Sequence, residues 1–149
     1  MYRNSPIGSI PPIANGASIA DIAVDANLSP AAQAAINGYF SALFVDCDAS
    51  RAILAAEMRG QTIRVTGAFV PTLPAAVVGR HAVFEATTAA IFSVDPVITD
   101  EIELDGVLLA AGNRITSNGA IRASVYIKCA VAGVWIARTI VSTFADGGP

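Results

Sequence analysis

The chain has 149 residues, of which 54% are hydrophobic and only 14% charged, so it can bury the core of one domain and is not a disordered chain. The 9 Lys and Arg residues against 12 Asp and Glu give a net charge of −3, which argues against a nucleic-acid-binding protein with a clustered basic face. The longest run without charges, residues 26–45, carries too many polar side chains for a membrane span, so no membrane partner is expected.

The beginning of the chain and its cysteines indicate a cytoplasmic protein. Prolines and glycines interrupt the apolar residues near the start, so no secretory signal peptide is predicted. Cys47 and Cys129 lie far apart without Cys-x-x-Cys spacing and are interpreted as reduced, buried thiols, with a single disulfide as the alternative. A chain with so few charges is expected to hide one face in an oligomer, and we expect a homodimer.

The first 27 residues are predicted to form an arm outside a single domain of residues 28–149. Several prolines and glycines in the arm forbid a long regular element there. Ser29-Pro30 is typical of a helix start, because Ser caps free N–H groups and Pro lacks the donor that would be orphaned. Apolar residues at helical spacing, including Tyr39, Phe40 and Leu43, continue this first helix.

Two further helices are predicted in the first two thirds of the chain. The second begins at its cap, Asp48, and ends at Gly60. The third spans Arg80 to about Ser93, with an apolar side that includes Val83 and Phe84. Between them, residues 62–66 alternate and are β-branched, which predicts a strand, and residues 67–79 form a loop.

The last third of the chain is predicted to be strands joined by hairpin turns. These strands are Val97–Leu104, Val107–Thr116, Ala120–Ala132 and Trp135–Phe144. The turns between them are Asp105-Gly106, Asn118-Gly119 and Ala132-Gly133. Helices followed by antiparallel strands form an α+β pattern, in which three helices pack inside one strongly curved, mostly antiparallel sheet.

This order of elements resembles the NTF2-like superfamily, which includes the ketosteroid isomerases, the SnoaL-like polyketide cyclases and the limonene-epoxide-hydrolase group. The closest local match is the loop Val70-Pro71-Thr72-Leu73-Pro74 followed by Gly79-Arg80-His81-Ala82-Val83. The resemblance covers residues 29–146 and implies a cone with an apolar pocket. It further implies a cofactor-independent enzyme that isomerises, cyclises, dehydrates or opens the epoxide of a hydrophobic small molecule of terpenoid, steroid or polyketide type.

The carboxylates that these reactions use are missing at the matching positions. Epoxide hydrolases of this group use an Arg-x-Asp pair and a further Asp, where this chain has Gly112, Arg114 and Ile140. The aspartate base of the ketosteroid isomerases would fall at Val65 or Thr66. A non-catalytic ligand-binding or dimerisation module of the same fold is therefore the alternative to an enzyme.

Three polar residues are predicted to serve catalysis. Arg114 occupies a position that is catalytic in the resembled group and could hold an anionic oxygen, or it could be solvated at a strand end. Tyr39 would donate a hydrogen bond into the cone, as a Tyr on that helix does in ketosteroid isomerases, or belong to the core. Arg138 would hold an anion or form an interface salt bridge. The residues predicted to line the pocket are Phe40, Phe84, Leu108 and Ile140.

Other polar residues have simpler explanations. His81 is the only histidine, so neither a multi-histidine metal site nor a Ser-His-Asp triad is expected. Asp48 is explained by capping and Asp46 by solvation. No metal and no cofactor are predicted. For the predicted strand Ala120–Ala132, the resemblance implies that the polar face points toward the pocket. The free energy gained by burying the apolar side chains predicts instead that the apolar face points inward, and we favour this second orientation.

Overall fold

In a computed structural model of the chain, residues 29–32, 34 and 43–149 are described. The chain divides into two compact units, Met1–Ala42 and Leu43–Pro149. In the first unit, residues 30–32 and 34 are helical, and the Ala32 N–H donates to Ser29 Oγ at 3.2 Å, as a capping serine predicts. The predicted arm, Tyr39 and Phe40 lie outside the described residues.

The second unit is built from ten strands and one short 3₁₀ turn, Ala55–Glu57. The strands are β1 Phe44–Cys47, β2 Arg59–Val65, β3 His81–Ala86, β4 Ser93–Val94, β5 Glu101–Leu104, β6 Val107–Leu108, β7 Ile115–Ser117, β8 Ser124–Val131, β9 Val134–Val141 and β10 Phe144–Asp146. The predicted α+β, NTF2-like cone with three packed helices is therefore wrong: the described part of the chain is mostly β.

The strands form two sheets. The larger has the order β1-β2-β3-β8-β9-β5-β6, and the smaller has the order β10-β7-β4. The larger sheet is mixed. Strands β1, β2 and β3 are parallel to one another, whereas β8 pairs antiparallel with β3 and β9 pairs antiparallel with β8. Strand β5 then pairs with β9 in parallel. In the smaller sheet, β10 and β4 each pair antiparallel with β7.

The parallel strands β1, β2 and β3 lie on successive turns of a coil that the chain forms. The chain returns to the same position roughly every twenty residues, so that Phe44 lies beside Thr62 and Thr62 beside Val83. A second ladder of single parallel bridges joins Ala52, Thr72 and Asp95 on another side of the coil. The β8–β9 hairpin then covers the edge of β3, which would otherwise leave its backbone groups unpaired.

The hydrophobic core lies against one face of the larger sheet. Alternate residues of each long strand point to it, such as Phe84 on β3, Ile127 on β8 and Trp135 on β9, all fully buried. Phe92 adds an edge-to-face contact with Phe144 of the smaller sheet, with ring centroids 5.6 Å apart. The core is thus filled by aromatic and aliphatic side chains.

The two later predicted helices are replaced by extended chain and, at Ala55–Glu57, by one short 3₁₀ turn. In the segment 48–60, the Ile53 N–H donates to the carbonyl of Thr72, which lies on the next turn of the coil. Strand β2 already begins at Arg59. In the segment 80–93, β3 alternates strictly, with Ala82, Phe84 and Ala86 buried between half-buried residues. Alanine favours helices intrinsically, but cross-strand pairing overrides that weak preference here.

One strand of the middle of the chain, and a strand face and a turn of the last third, were predicted more accurately. The predicted strand 62–66 falls largely within β2, and the burial of Val125, Ile127 and Cys129 confirms that the apolar face of β8 points inward. The turn Asp105-Gly106 is confirmed by positive φ at both residues, 47° and 96°. The predicted strand Val107–Thr116 is broken into β6 and β7, because the chain turns at Gly112 (φ 78°).

Candidate functional site

The first predicted catalytic residue, Arg114, is used to hold the end of the chain. Its backbone N–H donates to the Gly148 carbonyl at 3.1 Å, and its carbonyl accepts the Gly147 N–H at 2.9 Å. Its guanidinium donates to the Pro149 carbonyl at 2.6 Å. These bonds fasten residues 147–149 alongside β7 and engage the Arg114 guanidinium there.

The second, Arg138, lies exposed on the outer face of the larger sheet. Its guanidinium forms an ion pair with Glu103 at 2.6 Å on the neighbouring strand β5. Leu108, a predicted pocket residue, is the cross-strand neighbour of Glu103 and is itself exposed on the edge strand β6. An exposed ion pair of this kind contributes little to stability and is not an anion site inside a pocket.

The described residues predicted to line a pocket are not brought together. Phe84 is fully buried in the core, whereas Leu108 and Ile140 are 56% and 57% exposed. Phe84 and Arg138 also lie on opposite faces of the sheet, because Val125, the cross-strand partner of Phe84, is buried and Tyr126, the partner of Arg138, faces outward. The described members of the predicted constellation are therefore not brought together.

An open groove lies along β10 and the end of β7, with a volume of about 300 Å³. Its lining consists of Thr116, Ser117, Asn118, Thr143, Phe144, Ala145, Asp146 and Gly147. Most of its polar groups already have partners. Thr116 Oγ1 lies 2.8 Å from Ser93 Oγ, Asn118 Oδ1 accepts from Ser142 Oγ, and the Asp146 carboxylate accepts from the Asn113 amide and the Gly148 N–H. The one carboxylate in this lining, Asp146, is exposed and accepts hydrogen bonds from two groups of its own surroundings.

The buried ionisable groups of the second unit have structural roles. Asp100 is buried, and its carboxylate accepts the Ala76 N–H at 2.7 Å, tying the loop before β3 to the start of β5. Burial raises the pKa of the Cys47 and Cys129 thiols, which keeps both protonated and unreactive at neutral pH. Both cysteines are buried and free, as predicted.

An ion pair of Arg51 and Glu57 closes the turn between β1 and β2. Both guanidinium NH groups donate to the carboxylate, at 2.9 and 2.8 Å, and the Leu54 N–H donates to it at 2.6 Å. The hydrogen bonds from Arg51 lower the pKa of Glu57 below its ordinary value. The pair fixes a tight turn between the two strands.

The feature that the sequence predictions missed is an apolar surface at one end of the larger sheet, which we call the valine patch: Val77, Val78 and Val131. These side chains are 48%, 61% and 62% exposed. Two backbone bonds hold the two segments together, Gly79 N–H to the Cys129 carbonyl at 3.0 Å and Gly133 N–H to the Ala76 carbonyl at 3.1 Å. The loop 75–79 and the hairpin turn 131–134 therefore form one continuous surface.

Alanines extend the valine patch. Ala75 and Ala132 are exposed in the same two segments, and Ala130 is exposed just before the second of them. An apolar loop is unusual, because loops are ordinarily polar and solvated. The signal that would have revealed the patch is the uncharged run 68–79 placed in a predicted loop, together with an apolar hairpin turn.

Comparisons with known proteins identify no relative of this chain. No family model matches it, no curated protein matches it, and no solved structure matches it. Within the described ranges, no group of His, Cys, Asp and Glu side chains could hold a metal ion. The same part of the chain contains no helix with the length and apolarity of a membrane span.

Proposed function

We propose that the unit Leu43–Pro149 is a non-catalytic assembly module through which this chain associates with a second copy of itself. The observation that carries the proposal is the valine patch, a continuous apolar surface held in place by backbone hydrogen bonds. Soluble proteins use such surfaces for interaction, and homo-oligomers are the commonest assemblies.

The distribution of polar groups supports assembly rather than catalysis. An enzyme acting on an apolar molecule needs an ionisable group beside an apolar cavity. Among the described residues, Asp100 is the only buried carboxylate, and it is occupied by the Ala76 N–H. Arg114 and Arg138, the two described candidates for catalysis, are engaged by the last residues of the chain and by Glu103.

The expected strength of association follows from the buried area. Fully burying a valine is worth about 1.5–3 kcal/mol, and each patch valine has roughly half of that left to gain. Six such side chains across a two-fold contact give about 5–10 kcal/mol, against an association penalty of about 4–15 kcal/mol. Association is therefore expected to be reversible and concentration-dependent, with polar contacts around the patch making up the difference.

Sedimentation velocity on the full chain tests the proposal. Over a range from about 1 μM to about 1 mM, we expect a reversible monomer–dimer equilibrium. A monomer at every concentration would contradict the assembly function. Turnover of any hydrophobic epoxide, enone or lactone in a substrate panel would contradict the non-catalytic part of it.

A further inference from the structure

We infer that the valine patch is a two-fold contact, in which Arg80 of one copy lies opposite Glu101 of the other. This inference rests on the proposed self-association and assigns it a surface and a pair of charges. It begins from the position of the patch, where the loop before β3 and the turn between β8 and β9 meet.

Opposite charges flank the patch. Arg80 directly follows the patch loop, and its carbonyl accepts the Cys129 N–H at 2.8 Å. Glu101 begins β5 on the other side, where its N–H donates to the Gly133 carbonyl at 2.9 Å. The strands β8 and β9 lie between them, so the two residues are separated by three strand spacings, or about 15 Å.

Neither charge has an ionic partner within the described ranges. The Arg80 guanidinium donates only to the Ala75 carbonyl, at 2.6 Å, and Glu101 makes no side-chain hydrogen bond there. The neighbouring carboxylate, Glu103, is already paired with Arg138. Arg80 is thus an available cation on one side of the patch and Glu101 an available anion on the other, while a second exposed cation, Lys128, lies on β8 opposite His81.

This arrangement fits a second copy of the chain. A two-fold axis through the patch exchanges its two sides, so each Arg80 meets the partner's Glu101 while the valines of both copies pack between them. An anionic lipid surface would attract Arg80 but repel Glu101, which lies at the same end of the sheet. The pairing of opposite charges therefore favours self-association over membrane binding.

The contact is tested by sedimentation velocity on full-length variants. Val78→Asp and Val131→Asp each place a carboxylate in the contact, and each should weaken dimerisation by about 30-fold or more. Both residues are exposed in the monomer, so thermal unfolding and circular dichroism should remain those of the wild type. Ile140→Asp is the matched control: Ile140 is equally exposed, but lies about 20 Å away along β9, and this change should leave dimerisation unaltered.

A charge exchange tests the pairing itself. Arg80→Glu and Glu101→Arg should each weaken dimerisation by about tenfold, because each leaves like charges facing one another. The double variant restores opposite charges across the contact and should return to within about threefold of the wild type. Rescue by the double variant distinguishes pairing from damage to the loop that Arg80 holds at Ala75.

The outcomes separate this inference from the proposed function. If the wild type dimerises and the two patch variants dimerise equally well, the inference is wrong while self-association stands. If the double charge variant is no better than the single ones, the pairing is wrong. If the wild type is monomeric and instead co-sediments with phosphatidylcholine–phosphatidylglycerol vesicles, both are overturned.

Discussion

Replacing Phe84 by alanine separates a filled core from a ligand pocket. Phe84 is fully buried on β3, between Ile63 of β2 and Val125 of β8, so truncation leaves a cavity lined on both sides by aliphatic side chains. A buried Phe→Ala change costs about 3–5 kcal/mol, and for a unit of this size each kcal/mol lowers Tm by about 4 °C. Leu108→Ala, at an exposed edge, should cost less than about 1 kcal/mol.

Urea unfolding measures both changes, and small apolar molecules refine the result. Benzene should stabilise Phe84→Ala by entering the new cavity and leave the wild type unaffected, because engineered apolar cavities stay dry and accept such ligands. A loss below about 1 kcal/mol for Phe84→Ala, or stabilisation of the wild type by benzene, would show that Phe84 lines a pocket that already exists and would refute this view of the core.

Three further outcomes follow from the local geometry. Glu57→Gln should lower the free energy of unfolding by about 1–3 kcal/mol at pH 7. Because Arg51 lowers the pKa of Glu57 in the folded state, this difference from the wild type should shrink as the pH falls below about 4. Urea titrations at pH 7 and pH 3 measure both values. Gly106→Ala should cost about 1–2 kcal/mol in the same assay, since φ is 96° and no atom lies within 4 Å of the added Cβ to contribute a clash. Ellman's reagent should modify Cys47 and Cys129 only in denaturant, and rapid reaction of the native protein would contradict their burial.

Strand β8 and the turn before β6 could be predicted because their local signals agree with the fold. In β8, polar and apolar residues alternate, and the free energy of burial decides which face is inward. At Asp105-Gly106, the residue types suited to positive φ stand between two apolar runs. At these positions the local sequence pattern and the tertiary structure favour the same conformation, so the pattern was sufficient to predict it.

The prediction of a third helix from Arg80 to about Ser93 was wrong because its apolar residues fit both the helical and the strand period. Val83 and Phe84 fall on one helical side with residues further along, yet Ala82, Phe84 and Ala86 also form a perfect alternation. Alanine is small enough to be buried in a sheet and is also the best helix former, so it cannot distinguish the two. The neighbouring strands β2 and β8 decide the outcome, and neither is local to the segment.

The coil in the first half of the unit has no comparable local signal. Its strands pair in parallel with segments roughly twenty residues away, and part of it consists of single bridges such as Ala52 to Thr72. Parallel pairing requires a crossover and leaves no hairpin turn in the sequence to mark it. The repeat in length is not accompanied by a repeat in residue types, so the chain shows no visible internal repeat.

The candidate catalytic site was predicted from residue chemistry, whereas the proposed interaction surface rests on which side chains are exposed, and the two therefore fall on different residues. Val78 and Val125 are the same residue type, and Val78 has the more apolar neighbours in the sequence, yet Val78 is 61% exposed and Val125 is fully buried. The difference arises because the loop before β3 is tied at the rim of the sheet by its bonds to residues 129 and 133, while β8 runs through the middle of it. A low charge content predicts that some apolar surface must remain outside the core, but only the pairing of distant strands determines which valines form it.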